Sequence, residues 1–213
     1  VTGTATYDNS NAGTDKDITV DGFVLSGTDK DNYTVGTVNT IVKGSIEKAK
    51  LIVSLQSSPL ISKIYNGSDV ATLSSANYVL NGILGEDEVT IASGKAAYSD
   101  KKAGYDKEIT VTDFVLAGAQ KNNYAVENSS AVTSGDIKAK EITAGLAATP
   151  AISKVYDGSD RASVPAAKYQ LSGIETGDEV AVKGTAVYNN RHAGEDKVVT
   201  VNELVLDGAD ASN

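Results

Sequence analysis

The sequence predicts an all-β protein built from tandem modules, and two observations carry this prediction. The stretch from Tyr98 to Tyr124 recurs from Tyr7 to Tyr33 and again from Tyr188 to Asn213. The segments between turn signals are short and rich in Val, Ile, Leu and Thr, and no convincing helical stretch interrupts them. We therefore expect small β-sandwich modules of immunoglobulin-like size, or β-grasp-like modules if a segment such as Asp69 to Asn77 is helical.

The copies recur with a period of about 90 residues. Tyr65 and Tyr156 lie 91 residues apart, and Gly104 and Gly194 lie 90 apart. No Gly/Ser-rich or Pro-rich spacer separates the copies, which predicts a stiff rod rather than beads on a string. We name the three segments the first repeat (1–48, the C-terminal part of a module), the middle repeat (49–139, a complete module) and the third repeat (140–213, a module lacking its last strands).

Composition narrows the class of protein. The net charge of −9 and the pI near 4.6 argue against nucleic acid as a partner, since phosphates would be repelled. Cysteine is absent, which removes disulfides, thiolate metal sites and thiol catalysis. No segment approaches the roughly 20 apolar residues of a membrane span, so we expect no membrane insertion. With no secretory-type leader either, we expect a mature protein or a piece of a longer one.

The first copy illustrates the order of elements. Ile18-Thr19-Val20 alternates apolar and polar residues, as in a half-buried strand. The alternation breaks at Asp21-Gly22, a typical hairpin pair, but the other copies have Thr112-Asp113 and Asn202-Glu203 there. Because those pairs tolerate positive φ less well, a bulge that redirects the strand is the alternative. Thr34 to Ile46 then predicts a further strand or pair of strands.

Two turn motifs recur along the chain. The first has the pattern Lys-x-Tyr-Asn/Asp-Gly, in which the Asn-Gly or Asp-Gly pair supplies a tight turn. The second has the pattern Ala-Gly-x-Asp-Lys, which we attribute to a conformational glycine and an aspartate that caps the turn. The predicted structural turn residues are Lys63, Tyr65, Asn66 and Gly67, then Lys154, Tyr156, Asp157 and Gly158, and the glycines Gly13, Gly104 and Gly194.

With both motifs in hand, the chain resembles the YDG/MBG class of tandem repeats found in very large secreted bacterial surface proteins, including filamentous-haemagglutinin-like adhesins. Lys154 to Gly158, its variant Lys63 to Gly67, the Ala-Gly-x-Asp-Lys turns and the Gly-x-x-x-x-Asn-Tyr endings carry the resemblance. Asn66 departs from the aspartate of the pattern, so that position is not chemically essential. The resemblance implies extracellular spacer or adhesive repeats and brings no catalytic residues.

The candidate chemical sites are weak. His192 is the single histidine and its counterparts are Lys102 and Asn11, so zinc or Ser-His-Asp chemistry is implausible and we expect no enzyme and no catalytic residues. No cofactor is expected. Calcium at Asp157 to Asp160 or between modules is an open alternative to a turn with solvated carboxylates. The Ala-Gly-x-Asp-Lys loop lacks the glycine-rich run and the helix of a phosphate-binding loop.

The tyrosines bear on the choice of function. Nine of the ten fall at repeated positions, which is typical of half-buried rings whose hydroxyls anchor a turn. Only Tyr105 lacks a counterpart, so it is the candidate ligand contact. We expect a structural or adhesive extracellular stalk whose partners are other repeats or neighbouring subunits, assembled in part by strand exchange. A carbohydrate-binding module that contacts surface glycans through its end loops is the alternative.

Overall fold

The computed structural model describes residues 1–36 and 40–213, and their regular structure is β with short 3-10 turns. The strands are β1 Thr2–Tyr7, β2 Gly13–Val24, β3 Thr40–Ile46, β4 Ala49–Leu55, β5 Ser62–Ile64, β6 Tyr78–Asn81, β7 Thr90–Tyr98, β8 Gly104–Ala117, β9 Tyr124–Val126, β10 Ser130–Lys138, β11 Thr143–Leu146, β12 Arg161–Ala162, β13 Tyr169–Ser172, β14 Ala181–Tyr188 and β15 Val199–Asp207. The 3-10 helices are Lys30–Asn32, Ser75–Asn77, Lys121–Asn123 and Ala166–Lys168.

The prediction of an all-β fold is confirmed. In β4, Leu51 and Val53 are buried while Ile52 between them is exposed, as expected where successive side chains point to opposite faces. The segment from Asp69 to Asn77, whose helicity would favour a β-grasp, contains only the 3-10 turn Ser75–Asn77. Of the segment predicted as one or two strands, β3 forms, and residues 37–39 lie outside the described residues.

Five small sheets result from the strand pairing. Their orders are β1-β2-β3, β6-β4-β9, β5-β10-β8-β7, β11-β13 and β12-β14-β15. Most pairs are antiparallel, but β4 pairs parallel with β9, and β5 pairs parallel with β10. In the middle repeat, therefore, strands from the beginning of the segment lie beside strands from its end.

Contacts divide the chain into two compact units, each built from three segments. The first unit is Val1–Pro59, Leu73–Lys95 and Thr110–Thr133, and the second is Leu60–Thr72, Ala96–Ile109 and Ser134–Asn213. In the first unit, Leu51, Val89 and Tyr124 form a buried cluster. In the second unit the buried hydrophobic residues are Ile61, Tyr65, Ala71, Tyr98, Ile109, Ile137, Val182, Ala186 and Tyr188.

A bulge lies where the strand alternation breaks, so the hairpin interpretation is wrong. Strand β2 runs through Gly22, which has a φ of 59°, and Glu203 in β15 has a φ of 53°. The partner register shifts between Thr2 and Thr4, and again between Lys183 and Thr185. Asp113 in β8 also has a positive φ of 52°, so the non-glycine pairs do adopt the left-handed conformation.

Opposite the bulges of β8 and β15 the chain has a glycine, because the bulged strand approaches too closely for a Cβ atom. A Cβ built on Gly184 would lie 2.7 Å from the Asn202 carbonyl oxygen, and one on Gly94 would lie 2.7 Å from Val111 Cγ1. Real Cβ atoms essentially never come closer than 3.0 Å to such neighbours. The bulge and the glycine opposite it therefore recur together, and the bulge sets the direction of the strand.

No helix among residues 1–36 and 40–213 is long and apolar enough to cross a membrane.

Candidate functional site

The Lys-x-Tyr-Asn/Asp-Gly turn is closed by its own lysine. Lys154 Nζ donates to Asp157 Oδ1 at 2.8 Å and to the Ser159 carbonyl oxygen at 2.9 Å, and it lies 5.8 Å from the centroid of the Tyr188 ring. Gly158 follows with a φ of 79°, a conformation that favours glycine. The motif thus forms a turn in which the lysine ammonium group contacts oxygen atoms and also lies near an aromatic ring.

The middle repeat builds the same turn with an uncharged partner. Lys63 Nζ donates to Asn66 Oδ1 at 3.1 Å and to the Val70 carbonyl oxygen at 3.0 Å. It lies 5.5 Å from the centroid of the Tyr98 ring. Burial lowers the pKa of Lys63 below its usual value. In both copies the lysine of the motif therefore contacts the Asn or Asp three residues after it in its own turn.

The Ala-Gly-x-Asp-Lys turn has its unusual backbone at the aspartate rather than at the glycine. Asp15, Asp106 and Asp196 have φ values of 55°, 50° and 50°, whereas Gly13, Gly104 and Gly194 do not lie in the positive-φ region. The expected conformational glycine is therefore wrong, and aspartate is among the residues that tolerate this region best. A Cβ on Gly104 would make only ordinary contacts, the nearest at 3.5 Å, and no steric need for the glycine is evident.

The lysine of the Ala-Gly-x-Asp-Lys turn binds acceptors within its own loop. Lys107 Nζ donates to Asp100 Oδ1 at 2.7 Å, and the buried Lys16 contacts Asp8 Oδ1 at 2.9 Å. In the third repeat, Lys197 Nζ donates to the His192 carbonyl oxygen at 2.8 Å. Each lysine closes its loop onto the start of the turn, so these residues serve the loop itself and present no free ammonium group to a phosphate.

The repeated tyrosines anchor strands as well as turns. Tyr98 Oη donates to the Asp136 carbonyl oxygen at 3.0 Å, and Tyr7 Oη donates to the equivalent carbonyl of Ser45 at 3.1 Å. Both acceptors lie in the last strand of their repeat. Tyr124 Oη donates to Asp87 Oδ2 at 2.6 Å and accepts from the Leu84 amide at 3.0 Å. The hydrogen bond to the Asp87 carboxylate, together with burial, raises the pKa of Tyr124.

Inside the first unit, the Asn123 side chain of the middle repeat forms hydrogen bonds with the first repeat. The amide of Ala12, in the first Ala-Gly-x-Asp-Lys turn, donates to Asn123 Oδ1 at 2.9 Å. Asn123 Nδ2 in turn donates to Asn11 Oδ1 at 3.2 Å. Asn123 belongs to the Gly-x-x-x-x-Asn-Tyr ending of the middle repeat. The two recurring motifs of different repeats therefore bind each other.

Inside the second unit, the middle and third repeats meet through the same pair of positions. The amide of Ala103 donates to Asn213 Oδ1 at 3.2 Å. Ala103 and Asn213 occupy the places of Ala12 and Asn123 one repeat later. We name this arrangement the joint: an Ala amide from one repeat and the Asn of the Asn-Tyr ending of the next. Because this contact recurs at equivalent positions, it is a property of the repeat.

The second joint carries a charged cluster that the first lacks. Tyr65 Oη donates to Asp178 Oδ1 at 2.9 Å, and Lys101 Nζ lies 3.7 Å from the same oxygen. The Asp178 side chain is 4% exposed, so the ion pair is better shielded from water than a surface pair. Burial, and then the hydrogen bond to Asp178, raise the pKa of Tyr65. Ser10 stands where Lys101 stands, so the first joint has no base at this place.

A small cavity of about 80 Å³ lies at this second joint. Tyr65, Lys140, Glu175 and Asp178 are among its lining residues. Lys140 forms a salt bridge with Glu175 across it. The lining is thus made of groups that already bind one another, which favours a contact between repeats over a binding site for a small molecule.

The remaining sequence candidates lie apart from the joint contacts. Tyr105 is 79% exposed and projects from the turn that contains Ala103. His192 is exposed, and its backbone amide donates to Asn190 Oδ1 at 3.0 Å. Among residues 1–36 and 40–213, no group of three or more His, Cys, Asp or Glu side chains is arranged to hold a metal ion. The calcium alternative therefore gains no geometric support there.

Sequence reasoning missed a buried polar residue that holds the loop before it. Asn77 is buried; its Nδ2 donates to the carbonyl oxygens of Gln56 at 3.1 Å and Pro59 at 2.8 Å, and its Oδ1 accepts from the Ser74 amide at 3.0 Å. Lys168 takes its place in the third repeat, donating to the Ala147 and Pro150 carbonyl oxygens. Comparison of the copies could not find the pair, because the residue type changes while the acceptors are backbone atoms.

One family model matches the chain in three successive stretches. The family model of the YDG domain matches residues 1–41, 48–133 and 138–213. Neither the search of curated proteins nor that of solved structures found a significant match. Three successive matches cover nearly the whole chain, including the Lys-x-Tyr-Asn/Asp-Gly turns and both joints. The chain therefore belongs to the YDG domain family.

Proposed function

We propose that this chain is a structural and adhesive tandem repeat, forming an extracellular stalk or fibre of a bacterial surface protein of the filamentous-haemagglutinin-like kind. Each repeat of about 90 residues would be a small immunoglobulin-like sandwich. Its task is to carry tension between a cell and a distant contact. Residues of the turns and joints hold the array together, and the acidic surface, with a net charge of −9, keeps it soluble.

The observation that carries this proposal is the parallel pairing of the middle repeat. β4 lies parallel to β9, and β5 lies parallel to β10. Tension along the chain pulls the early strands toward the N-terminus and the late strands toward the C-terminus. Parallel neighbours then slide past each other, so all the hydrogen bonds of a pair are loaded at the same time. An antiparallel hairpin pulled at its open end breaks its bonds one by one.

Single-molecule force spectroscopy tests the mechanical function. Stretching the chain between its ends should give an unfolding event that releases on the order of 300 Å of contour length for a complete repeat of 91 residues. The chain has no native cysteine, so cysteine handles can be placed at chosen positions. Handles at Thr90 and Ala117, the outer ends of β7 and β8, provide the control because they unzip neighbouring strands of one sheet. Equal unfolding forces in the two geometries would refute the proposal.

Assembly between neighbours is a further part of the proposed function. In the middle repeat, Ser62–Ile64 pairs with β10, whereas the equivalent Ser153–Val155 pairs with no strand among the described residues. A strand from a neighbouring chain could occupy this edge. Light scattering at increasing concentration should then detect association. A strictly monomeric profile would contradict strand exchange and leave the mechanical proposal intact.

A second candidate function is binding of surface glycans by the end loops. The exposure of Tyr105 favours it, because an exposed aromatic ring can stack on a sugar face, and the equivalent positions are Thr14 and Glu195. A glycan array probed with the chain and with Tyr105→Thr provides the test. Signals that vanish in the variant would establish the contact. Silence of the unaltered chain would remove this candidate.

A further inference from the structure

The third repeat has a surface that matches the occupied side of the second joint. Tyr156, Arg191 and the Ala193 amide hold the places that Tyr65, Lys101 and Ala103 hold in the middle repeat. All three line a single cavity of about 500 Å³. We name Tyr156, Arg191 and Ala193 the outer joint surface. It therefore contains the counterparts of the three groups that contact Asp178 and Asn213 at the second joint.

Burial distinguishes the two surfaces. Tyr65 is 3% exposed, and its amide donates to the Lys138 carbonyl oxygen of its own repeat while its hydroxyl donates to Asp178 of the third repeat. Tyr156 is 61% exposed. The amides of Ala12 and Ala103 donate to asparagine side chains, while that of Ala193 donates to no acceptor within the described residues. The outer joint surface thus exposes an aromatic ring, a guanidinium group and a backbone amide side by side. At the second joint the equivalent groups contact the third repeat.

We propose that the outer joint surface binds a further copy of the same repeat, through its acidic turn and the asparagine of its Asn-Tyr ending. The aspartate equivalent to Asp178 would accept from Tyr156 and pair with Arg191, and the asparagine equivalent to Asn213 would accept from the Ala193 amide. The inference rests on the proposed array function, since a repeat of the same kind is the partner. It adds the residues that form the interface and the order of the two repeats along the chain. The earlier repeat contributes the Ala amide, and the later repeat contributes the Asn of its Asn-Tyr ending.

The carboxylate of an acidic turn can make this contact without losing the contact within its own repeat. Asp87 binds Tyr124 of its own repeat through Oδ2, and Asp178 binds Tyr65 of the preceding repeat through Oδ1. The two contacts use different oxygens, so one aspartate can accept from both tyrosines at once. An aspartate at this position can therefore accept from the tyrosine of its own repeat and from the tyrosine of the repeat before it.

Charge at the surface also fits this partner. Arg191 is a base, as is Lys101 at the occupied joint, and the acidic turns Glu86-Asp87-Glu88 and Asp178-Glu179 supply the opposite charge. A guanidinium group can bind a carboxylate through two parallel hydrogen bonds, which an ammonium group cannot. The outer joint surface should therefore hold an acidic turn at least as firmly as the second joint does.

Amide hydrogen exchange of three chains tests the inference. The first is the 213-residue chain itself. The second is extended after Asn213 by a copy of Tyr124 to Ala139, which supplies last strands but no further repeat. The third is extended by a copy of Tyr124 to Asn213, which also supplies the next repeat. The exchange rates of the Ala12, Ala103 and Ala193 amides are compared in each chain.

The expected result is slow exchange at Ala12 and Ala103 in all three chains. Ala193 should exchange fast in the first two and about tenfold more slowly in the third, as one added hydrogen bond allows. Fast exchange at Ala193 in the longest chain would overturn the inference, and so would slow exchange already in the second chain. Fast exchange at Ala103 would instead argue against fixed joints and hence against the proposed stalk.

Two substitutions in the longest chain identify the contacts. Changing the appended copy of Asn213 to Ala should restore fast exchange at Ala193 and leave Ala103 unchanged. Arg191→Ser, which introduces the residue found at Ser10, should weaken protection at Ala193 without affecting Ala12. Protection that survives both changes would show that another group covers the surface, and would overturn the assignment.

Discussion

Two tyrosines at the same place in successive repeats have opposite environments. Tyr124 is 2% exposed and bonded to Asp87, whereas its counterpart Tyr33 is 70% exposed. Tyr124→Phe leaves the Asp87 carboxylate and the Leu84 amide without their shared partner. We expect the free energy of unfolding of the first unit to fall by about 1.5–3 kcal/mol, the range for a hydrogen bond to a charged group. Urea unfolding followed by near-ultraviolet circular dichroism measures this change.

Tyr33→Phe is the matched control for that substitution. It removes the same atom from an exposed side chain, so we expect the free energy of unfolding to change by less than about 0.5 kcal/mol. Equal effects of the two substitutions would show that the Tyr124 hydroxyl gains nothing from its two partners in the folded protein.

Backbone strain at the bulge of the third repeat offers a stabilising substitution. Glu203 has a φ of 53°, a region in which a side chain costs about 1–2 kcal/mol relative to glycine. Glu203→Gly should therefore raise the free energy of unfolding by about 1 kcal/mol, measured by urea unfolding. Glu203→Ala is the control, since it removes the carboxylate that accepts from Thr185 and keeps the Cβ. If both variants had the same stability, the strain would be refuted.

The turn of the third repeat predicts a pH dependence. The hydrogen bond from Lys154, followed by those from the Ser159 amide and hydroxyl, lowers the pKa of Asp157 from 3.8 to about 2. Because the folded-state pKa lies below the unfolded one, the turn stabilises the folded state above about pH 4, and this contribution is lost as the pH falls toward 2. A carbon NMR titration of the Asp157 carboxyl should have its midpoint near 2.

Asp157→Asn is the natural comparison, because Asn66 occupies this place in the middle repeat. The variant should unfold with a weaker dependence on pH between about 4 and 2 than the unaltered chain. An ordinary midpoint near 3.9 for the Asp157 carboxyl would contradict the role of Lys154.

The elements were predictable where the copies agree and where a local rule applies. Alternation in Ile18 to Val20 predicted a strand, whereas Asp21-Gly22 by itself indicated a hairpin. Only comparison with Thr112-Asp113 and Asn202-Glu203 raised the bulge as an alternative. The Ala-Gly-x-Asp-Lys turn was misjudged because glycine is the usual residue at positive φ, whereas Asp106 takes that conformation here. The role of Asn77 could not be predicted from the sequence, because its side chain forms hydrogen bonds with three backbone groups that only the folded chain brings together.

The joints lie at the limit of what sequence can predict. The asparagine of the Asn-Tyr ending is present as Asn32, Asn123 and Asn213, which was a visible signal. Its partner, however, is a backbone amide 111 residues away for Ala12 and 110 away for Ala103, and an amide has no residue type to compare. Long-range pairing of a side chain with the backbone requires the register of the fold.

At the scale of the whole molecule, we expect stability to be independent of calcium. Within the described part of the chain, no cluster of three acidic or histidine side chains could hold the ion. The Tm should therefore be the same in millimolar calcium and in EDTA. A ligand that binds only the folded state raises the Tm with its concentration, so a calcium-dependent rise would contradict this expectation and restore the site at Asp157 to Asp160.

The division into two compact units places each joint inside a single unit and cuts through the middle repeat. The compact units of the fold are therefore out of phase with the repeats of the sequence. A cut at residue 48, the end of the first repeat, would split the first unit. A cut at residue 139, the end of the middle repeat, would split the second unit. Each half of the middle repeat therefore packs in one compact unit with the repeat next to it.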